Sequence, residues 1–176
     1  LKKGFLRAGT LVKLKVRPKK GRLKSKSSFL PLRLAVNRDL ATLAGLWLAD
    51  GCYDKDSVIF SVTDEESRKV VRKIAERFKI GCKLHSDKTS LLLNSKLFKI
   101  FFKEVLGLEG NAYTKRVPSW VFGLEKEELA AFLRGYFSGG WVRPNDVAVS
   151  SLSFNLLKDV QTLLLRFGIP LRIGKK

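Results

Sequence analysis

The stretch "LAGLWLADG", residues 43–51, decides how this chain is read. It is an apolar run with small residues four apart, Gly45 and Ala49, that ends in an acid, Asp50, and a glycine, Gly51. Asn37 is a good N-cap for a helix running to Asp50, and Gly51 is a good residue to stop it. Ninety residues later "LRGYFSGGW", residues 133–141, repeats the shape, with Gly135 and Gly139 in the places of Gly45 and Ala49 but without the acid. Small residues one turn apart let two helix backbones approach closely. Packed side by side, the two helices would bring their C-terminal ends together, so an acid at each end would form a carboxylate pair. Such a pair repels itself beside the negative ends of the helices and wants a divalent cation; hard oxygen ligands suit Mg²⁺. Two carboxylates with a metal between basic strands make a site for hydrolysing a phosphodiester.

The repeat extends outward from these helices. "SVIFSVT" (57–63) reads as a strand after the turn residues Asp54, Lys55 and Asp56, and Asp64 caps a helix with Val70, Val71, Ile74 and Phe78 on one face. "IGCKLHS" and "TSLLLNS" form two strands around a Ser86-Asp87-Lys88 turn, and an apolar helix follows with Leu97, Ile100, Phe101, Val105 and Leu106. From about Glu125 the pattern begins again, with a helix to Gly139, a strand "VAVSS", a helix "FNLLKDVQTLLLRFG" and a strand "IPLRIGKK". The expected organisation is a basic arm over residues 1–36, a first half over 37–124 and a shorter second half over 125–176. A helix feeding a hairpin and then a helix, twice over, makes an α+β pseudo-repeat.

The offset between the copies locates a deletion. Gly45 aligns with Gly135 at an offset of 90, but Val58 with Val147 and Arg77-Phe78 with Arg166-Phe167 at 89. One residue has dropped out between Gly139 and Val147. If Gly140 and Trp141 pair with Gly51 and Cys52, the lost residue is the partner of Asp50. If Gly140 instead replaces the acid, Trp141 must also replace the glycine. Deletion needs one event and substitution two, so deletion is favoured. The partner position for a metal shared with Asp50 is then Gly140 or nothing.

Charge names the partner class. A net charge of +19 and a pI near 10.2 imply a polyanion. Residues 1–36 hold twelve Lys and Arg and no acid, leaving +7 for the rest. In "LVKLKVRP" the apolar Val12, Leu14 and Val16 alternate with Lys13, Lys15 and Arg17, the period of a strand with one basic face. Such a face suits a phosphate backbone, and Lys83, His85, Lys88, Arg143 and Arg172 are further candidates on the strands. A membrane surface would instead ask for an amphipathic basic helix. No apolar run approaches the ~20 residues needed to span a bilayer, and no signal peptide is found, so a cytoplasmic setting is expected. Cys52 and Cys82 have no metal-ligand spacing and read as free thiols in a reducing compartment, and a single histidine, His85, reads as a strand residue near DNA rather than a ligand. The chain starts at Leu1 and has no methionine, and its last residues read as a strand, so it is expected to be a piece of something longer.

These residues resemble the LAGLIDADG, or dodecapeptide, homing endonucleases. Leu43, Ala44, Gly45, Leu46, Ala49, Asp50 and Gly51 match the motif's letters, and Trp47 and Leu48 replace its Ile and first Asp. "FLRGYFSGGWV" is similar to the second copy, "KRVPSWVF" to the Lys-x-hydrophobic-Pro block before the second motif in intein-borne members, and "DVQTLLLRFGI" to the second long helix. The resemblance covers residues 38–176 and is nearest to the endonucleases of archaeal inteins. No splicing residues accompany it, since Leu1 is no nucleophile and no terminal His-Asn is present, so self-splicing is not expected. The resemblance implies two pseudo-symmetric αββαββα halves, the second incomplete, whose strands form a saddle on double-stranded DNA. The motif helices form the seam of a monomeric pseudo-dimer, free or embedded in a larger intein-containing chain. It further implies that Asp50 binds a catalytic Mg²⁺ and that Lys115 is the basic residue that positions the attacking water or stabilises charge. Two departures from the pattern, the missing acid and the missing last hairpin and helix, imply impaired double-strand cleavage. The alternatives are a degenerate DNA-binding relative and an RNA-binding maturase on the same fold.

Overall fold

The computed structural model describes residues 5–7, 33–144 and 146–174. At its centre nine consecutive residues, Leu40 to Leu48, are buried. A helix apolar on every side can only lie inside a protein, and this one is α1 (Arg38–Asp50), started where the Leu40 amide donates to the Asn37 side chain at 3.0 Å. Before it, β1 (Phe5–Arg7) pairs antiparallel with β2 (Arg33–Ala35), bringing the two ends of the basic segment together. The expected strand carrying Lys13, Lys15 and Arg17 lies outside the described residues.

After α1, the motif's own glycine opens β3 (Gly51–Tyr53), which pairs with β4 (Ser57–Ser61). Asp64 then accepts from the Ser67 amide and starts α2 (Glu65–Arg77), which buries Val71, Ile74 and Ala75 against the core. β5 (Gly81–Leu84) and β6 (Ser90–Asn94) complete an antiparallel sheet in the order β3-β4-β6-β5. Alternate residues Val58, Phe60, Leu91 and Leu93 face inward onto the helices. α3 (Lys96–Ile100) follows and passes into a wide π-helical turn, Phe101–Val105. A 3₁₀ turn, Ser119–Gly123, leads to α4 (Lys126–Phe137), then to the hairpin β7 (Trp141–Arg143) and β8 (Asp146–Ala148), and to α5 (Phe154–Leu165). Gly168, at φ +71°, turns the chain after α5. The architecture is α+β, with helices packed on the inner faces of antiparallel strands.

One expectation needs correction. Residues 169–174, expected as a strand, form none, so Arg172 is exposed on an irregular segment held where the Gln161 amide donates to the Leu171 carbonyl at 2.7 Å. Val105 and Leu106 do not share a buried face. The Leu106 amide donates five residues back to Phe101, and the extra residue in that turn leaves Val105 40% exposed while Leu106 is fully buried. The strongest core residues of that helix are Phe98 and Phe102, which stack with ring centroids 5.4 Å apart.

The second half is less covered than the first. Register pairs Tyr53 with Val58 in one hairpin and Val142 with Val147 in the other. Val58 is fully buried, yet Val142 is 80% and Val147 53% exposed.

Candidate active site

α1 and α4 cross with their backbones in contact. A Cβ placed on Gly45 would stand 2.1 Å from the Phe132 carbonyl oxygen and 2.7 Å from the Tyr136 nitrogen. One on Gly135 would stand 2.2 Å from the Thr42 oxygen and 3.1 Å from the Leu46 nitrogen. Thr42 and Phe132, and Leu46 and Tyr136, are 90 apart, so the two clashes are copies of each other across a pseudo-twofold axis. Lower on the seam, a Cβ on Gly139 would meet the Ala49 methyl at 3.0 Å. The Thr42 hydroxyl adds a bond to the Ala131 carbonyl at 3.2 Å. The seam sets the C-terminal end of α1, and with it Asp50, beside the end of α4.

Asp50 is exposed at that end, and Gly51 is buried beneath it. The Gly51 amide donates to the Trp47 carbonyl, and the Gly140 amide donates to the Phe137 carbonyl, the residue 90 after Trp47. Cys52 pairs with Ile59 and Trp141 with Ala148, so the hairpins match at an offset of 89. Gly140 therefore occupies the place of Gly51, and Asp50 has no counterpart. As a metal position Gly140 needs correcting: it has no ligating side chain, and a Cβ there would lie 2.4 Å from the Ala148 oxygen.

Lys115 is 7% exposed, and its ammonium caps α1. It donates to the carbonyls of Trp47 at 2.8 Å, Gly51 at 2.7 Å and Leu48 at 3.4 Å, and sits 4.5 Å from the centre of the Trp47 ring. A cation suits the negative end of a helix, and the indole face adds a second attraction. Burial pulls the ammonium down to about 8, while the charges of Asp50 and Cys52 pull it up. Burial also pushes the neighbouring Cys52 thiol up, against the pull of Lys115. Nothing local in the sequence signals this role, since the partners lie 64 to 68 residues away.

The depressed Lys115 value has a consequence for stability. The unfolded lysine keeps its ordinary value of 10.5, so between pH 8 and 10 the unfolded chain holds a proton that the folded one has released. Unfolding then takes up a proton, and raising the pH favours the folded state by up to about 1.4 kcal/mol per unit. Below pH 8 the cost of the buried charge is present in full. Urea titrations from pH 7 to 10 should show wild type gaining on Lys115→Met as pH rises, and a constant difference would sink this assignment.

Around this end lies an open cavity of about 1170 Å³, lined by Asp50, Cys52 and Lys115 from one side and by Ser151, Phe154 and Leu157 from the other. Among the described residues no group of three or more His, Cys, Asp or Glu could hold a metal. Asp50 alone is suited to the binding mode in which Mg²⁺ takes one or two carboxylates and completes its shell with water and phosphate oxygens.

The basic candidates are spread rather than clustered. Lys83, His85 and Lys88 share the β5–β6 hairpin and are all exposed. Its turn is well built: Asp87 accepts from the Thr89 and Ser90 amides, His85 Nδ1 lies 3.1 Å from Asp87, and Arg68 reaches the Lys88 carbonyl at 2.8 Å. Arg143 is on β7, paired with Asp146 in register. The outer row across the first sheet is Cys52, Ile59, Leu92 and Lys83, so its middle is neutral and the charge sits toward its edge.

A family model described as a LAGLIDADG-like domain matches residues 37–106 and 127–176. The chain is 36% identical over 151 residues to the DNA polymerase II large subunit of Thermococcus kodakarensis, covering 80% of this chain and 8% of that protein. It is 33% identical over 149 residues to the replication factor C small subunit of Methanocaldococcus jannaschii, covering 80% of this chain and 8% of that protein. The chain thus spans less than a tenth of these relatives. Among solved structures, I-DmoI in complex with DNA and Mn superposes with a TM-score of 0.58 at 18% identity, over 79% of this chain and 82% of that one, and so shares the fold. No helix among the described residues is long and apolar enough to cross a membrane.

Proposed function

The chain belongs to the LAGLIDADG-like domain family, and from that premise we propose that it is a site-specific homing endonuclease domain of an archaeal intein. On this reading it binds double-stranded DNA as a monomeric pseudo-dimer, in the cytoplasm, and hydrolyses phosphodiester bonds at Asp50. The observation that carries the reading is the exposed Asp50 carboxylate, held at the end of a seam helix on the lip of a cavity built by both halves. The relatives support the setting. One module aligned to small parts of a polymerase subunit and a replication factor subunit is what an element inserted into unrelated host genes leaves behind. I-DmoI was solved with DNA and Mn, which supports the choice of a duplex and a divalent ion.

The residues divide the work. Asp50 would hold Mg²⁺ together with phosphate oxygens of the DNA, and the ion when bound would supply charge stabilisation at the reacting phosphate. Lys115, bonded to three carbonyls, keeps the end of α1 in place and sets a positive charge beside Asp50. Gly140 brings no carboxylate to the seam, so one strand is cut slowly and no efficient double-strand break results. Lys83, Lys88, Arg143 and Arg172, with Lys13, Lys15 and Arg17, contact phosphates, and His85 lies beside them. The neutral row of Cys52, Ile59 and Leu92 is better suited to base edges than to backbone.

Binding tests the reading first. Seven phosphate contacts give a log–log slope of affinity against salt of about −6 for duplex DNA. A flat dependence would remove the nucleic-acid reading, and a preference for structured RNA over duplex would favour the maturase alternative.

A further inference from the structure

The Lys115 ammonium reaches α1 while its backbone is held on two sides, by the Asn111 turn at its amide and by the second half at its carbonyl. On the N-terminal side residues 109–114 are all exposed, and there the Lys115 amide donates to the Asn111 carbonyl at 3.0 Å. A lysine's long flexible stem fixes nothing by itself. Ser153, 1% exposed at the start of α5, donates its hydroxyl to the Lys115 carbonyl at 2.7 Å and accepts from the Leu156 amide at 3.2 Å. Further along α5, Asp159, 8% exposed, receives Arg116 through both carboxylate oxygens at 2.8 Å each and the Val117 amide at 3.1 Å. Three successive residues of the loop are therefore bonded to one helix. A bidentate guanidinium fixes orientation as well as distance.

We propose that Asp159 and Ser153 are positioning residues that set Lys115 at the end of α1, so that the first half's site is completed by a helix of the second. This rests on reading Lys115 as part of the site. It explains why Asp159 can be buried: three N–H groups converge on it, and an asparagine there would offer one acceptor oxygen instead of two.

The test is reductive methylation of the full chain, with the rate at each lysine read by mass spectrometry. Lys99 is the internal control, because its ammonium also donates to carbonyls, those of Asp54 at 2.8 Å and Lys55 at 3.3 Å, outside the clamp. Asp159→Asn and Ser153→Ala should each raise the rate at Lys115 about tenfold, the scale of one lost charge-assisted or buried bond. Lys99 should be unchanged, and Ser153→Thr, which keeps the hydroxyl, should restore the wild-type rate. On cleavage, both disruptive variants should lower kcat and leave KM for DNA unchanged. If Asp159→Asn fails to fold, the Ser153 pair decides. Equal rises at Lys115 and Lys99, or no rise at Lys115, would overturn the proposal. A selective rise at Lys115 in a protein that never cleaves DNA would keep the positioning role and remove the nuclease reading.

Discussion

Gly135→Ala and Gly45→Ala are each expected to cost about 3 kcal/mol or more, and the double variant is expected to lose its fixed tertiary structure. Ordinary overpacking costs about 1–3 kcal/mol because side chains can move aside. Here the added carbon meets backbone, at 2.2 Å from the Thr42 oxygen or 2.1 Å from the Phe132 oxygen, and neither can yield without separating α1 from α4. Alanine's better helix propensity returns only about 1 kcal/mol. A domain's whole stability is about 5–15 kcal/mol, so two such losses consume most of it. Gly81→Ala is the control, since no atom lies within 4 Å of its added carbon, and its effect should stay within about 0.5 kcal/mol. Urea midpoints and near-ultraviolet dichroism read the result. A Gly135→Ala protein within 1 kcal/mol of wild type would mean the seam is not a backbone contact.

The second large effect concerns the acid. Asp50→Asn should lower Mg²⁺-dependent nicking about a thousandfold, because a bound metal contributes several kcal/mol of charge stabilisation and each 1.4 kcal/mol is a factor of ten. DNA affinity should stay within a few fold, since the phosphates are held elsewhere. The complementary change is insertion of Asp between Gly139 and Gly140. Gly140 already does the work of Gly51, so the new residue falls in the empty place across from Asp50, and linear product should rise at the expense of nicked circles. The assay is a supercoiled plasmid carrying the host gene without the insertion, incubated with Mg²⁺. Full linearisation by the unmodified chain would show that another group, with Asp146 the first candidate, supplies the second charge, and the assignment of a single-carboxylate site would fall.

The corrections show where pattern reading stops. Val105 and Leu106 both mark an apolar helix in the sequence, but a single five-residue step in the hydrogen bonding leaves Val105 exposed and Leu106 buried. The strand expected over 169–176 had the right residue types for one, but a strand needs a neighbour, and, among the described residues, 169–174 have none. Asp159 stands in the sequence as one of several polar residues of α5, beside Lys158 and Gln161, with no sign that Arg116 and Val117 would converge on it.

The sequence by itself determined the helix pair, the caps of α1, the small residues of the seam and the absence of a second acid to match Asp50. Each of these is written in spacings of a few residues or in the comparison of one copy with the other, and neither requires knowing how the chain packs. Only the tertiary structure decided that Gly140 replaces Gly51 rather than Asp50, that Lys115 is buried against the end of α1, and that α5 holds it there. Those contacts join residues 38 to 68 positions apart, and at such distances the partner of a charged side chain is chosen by how the two halves dock, which no local period records.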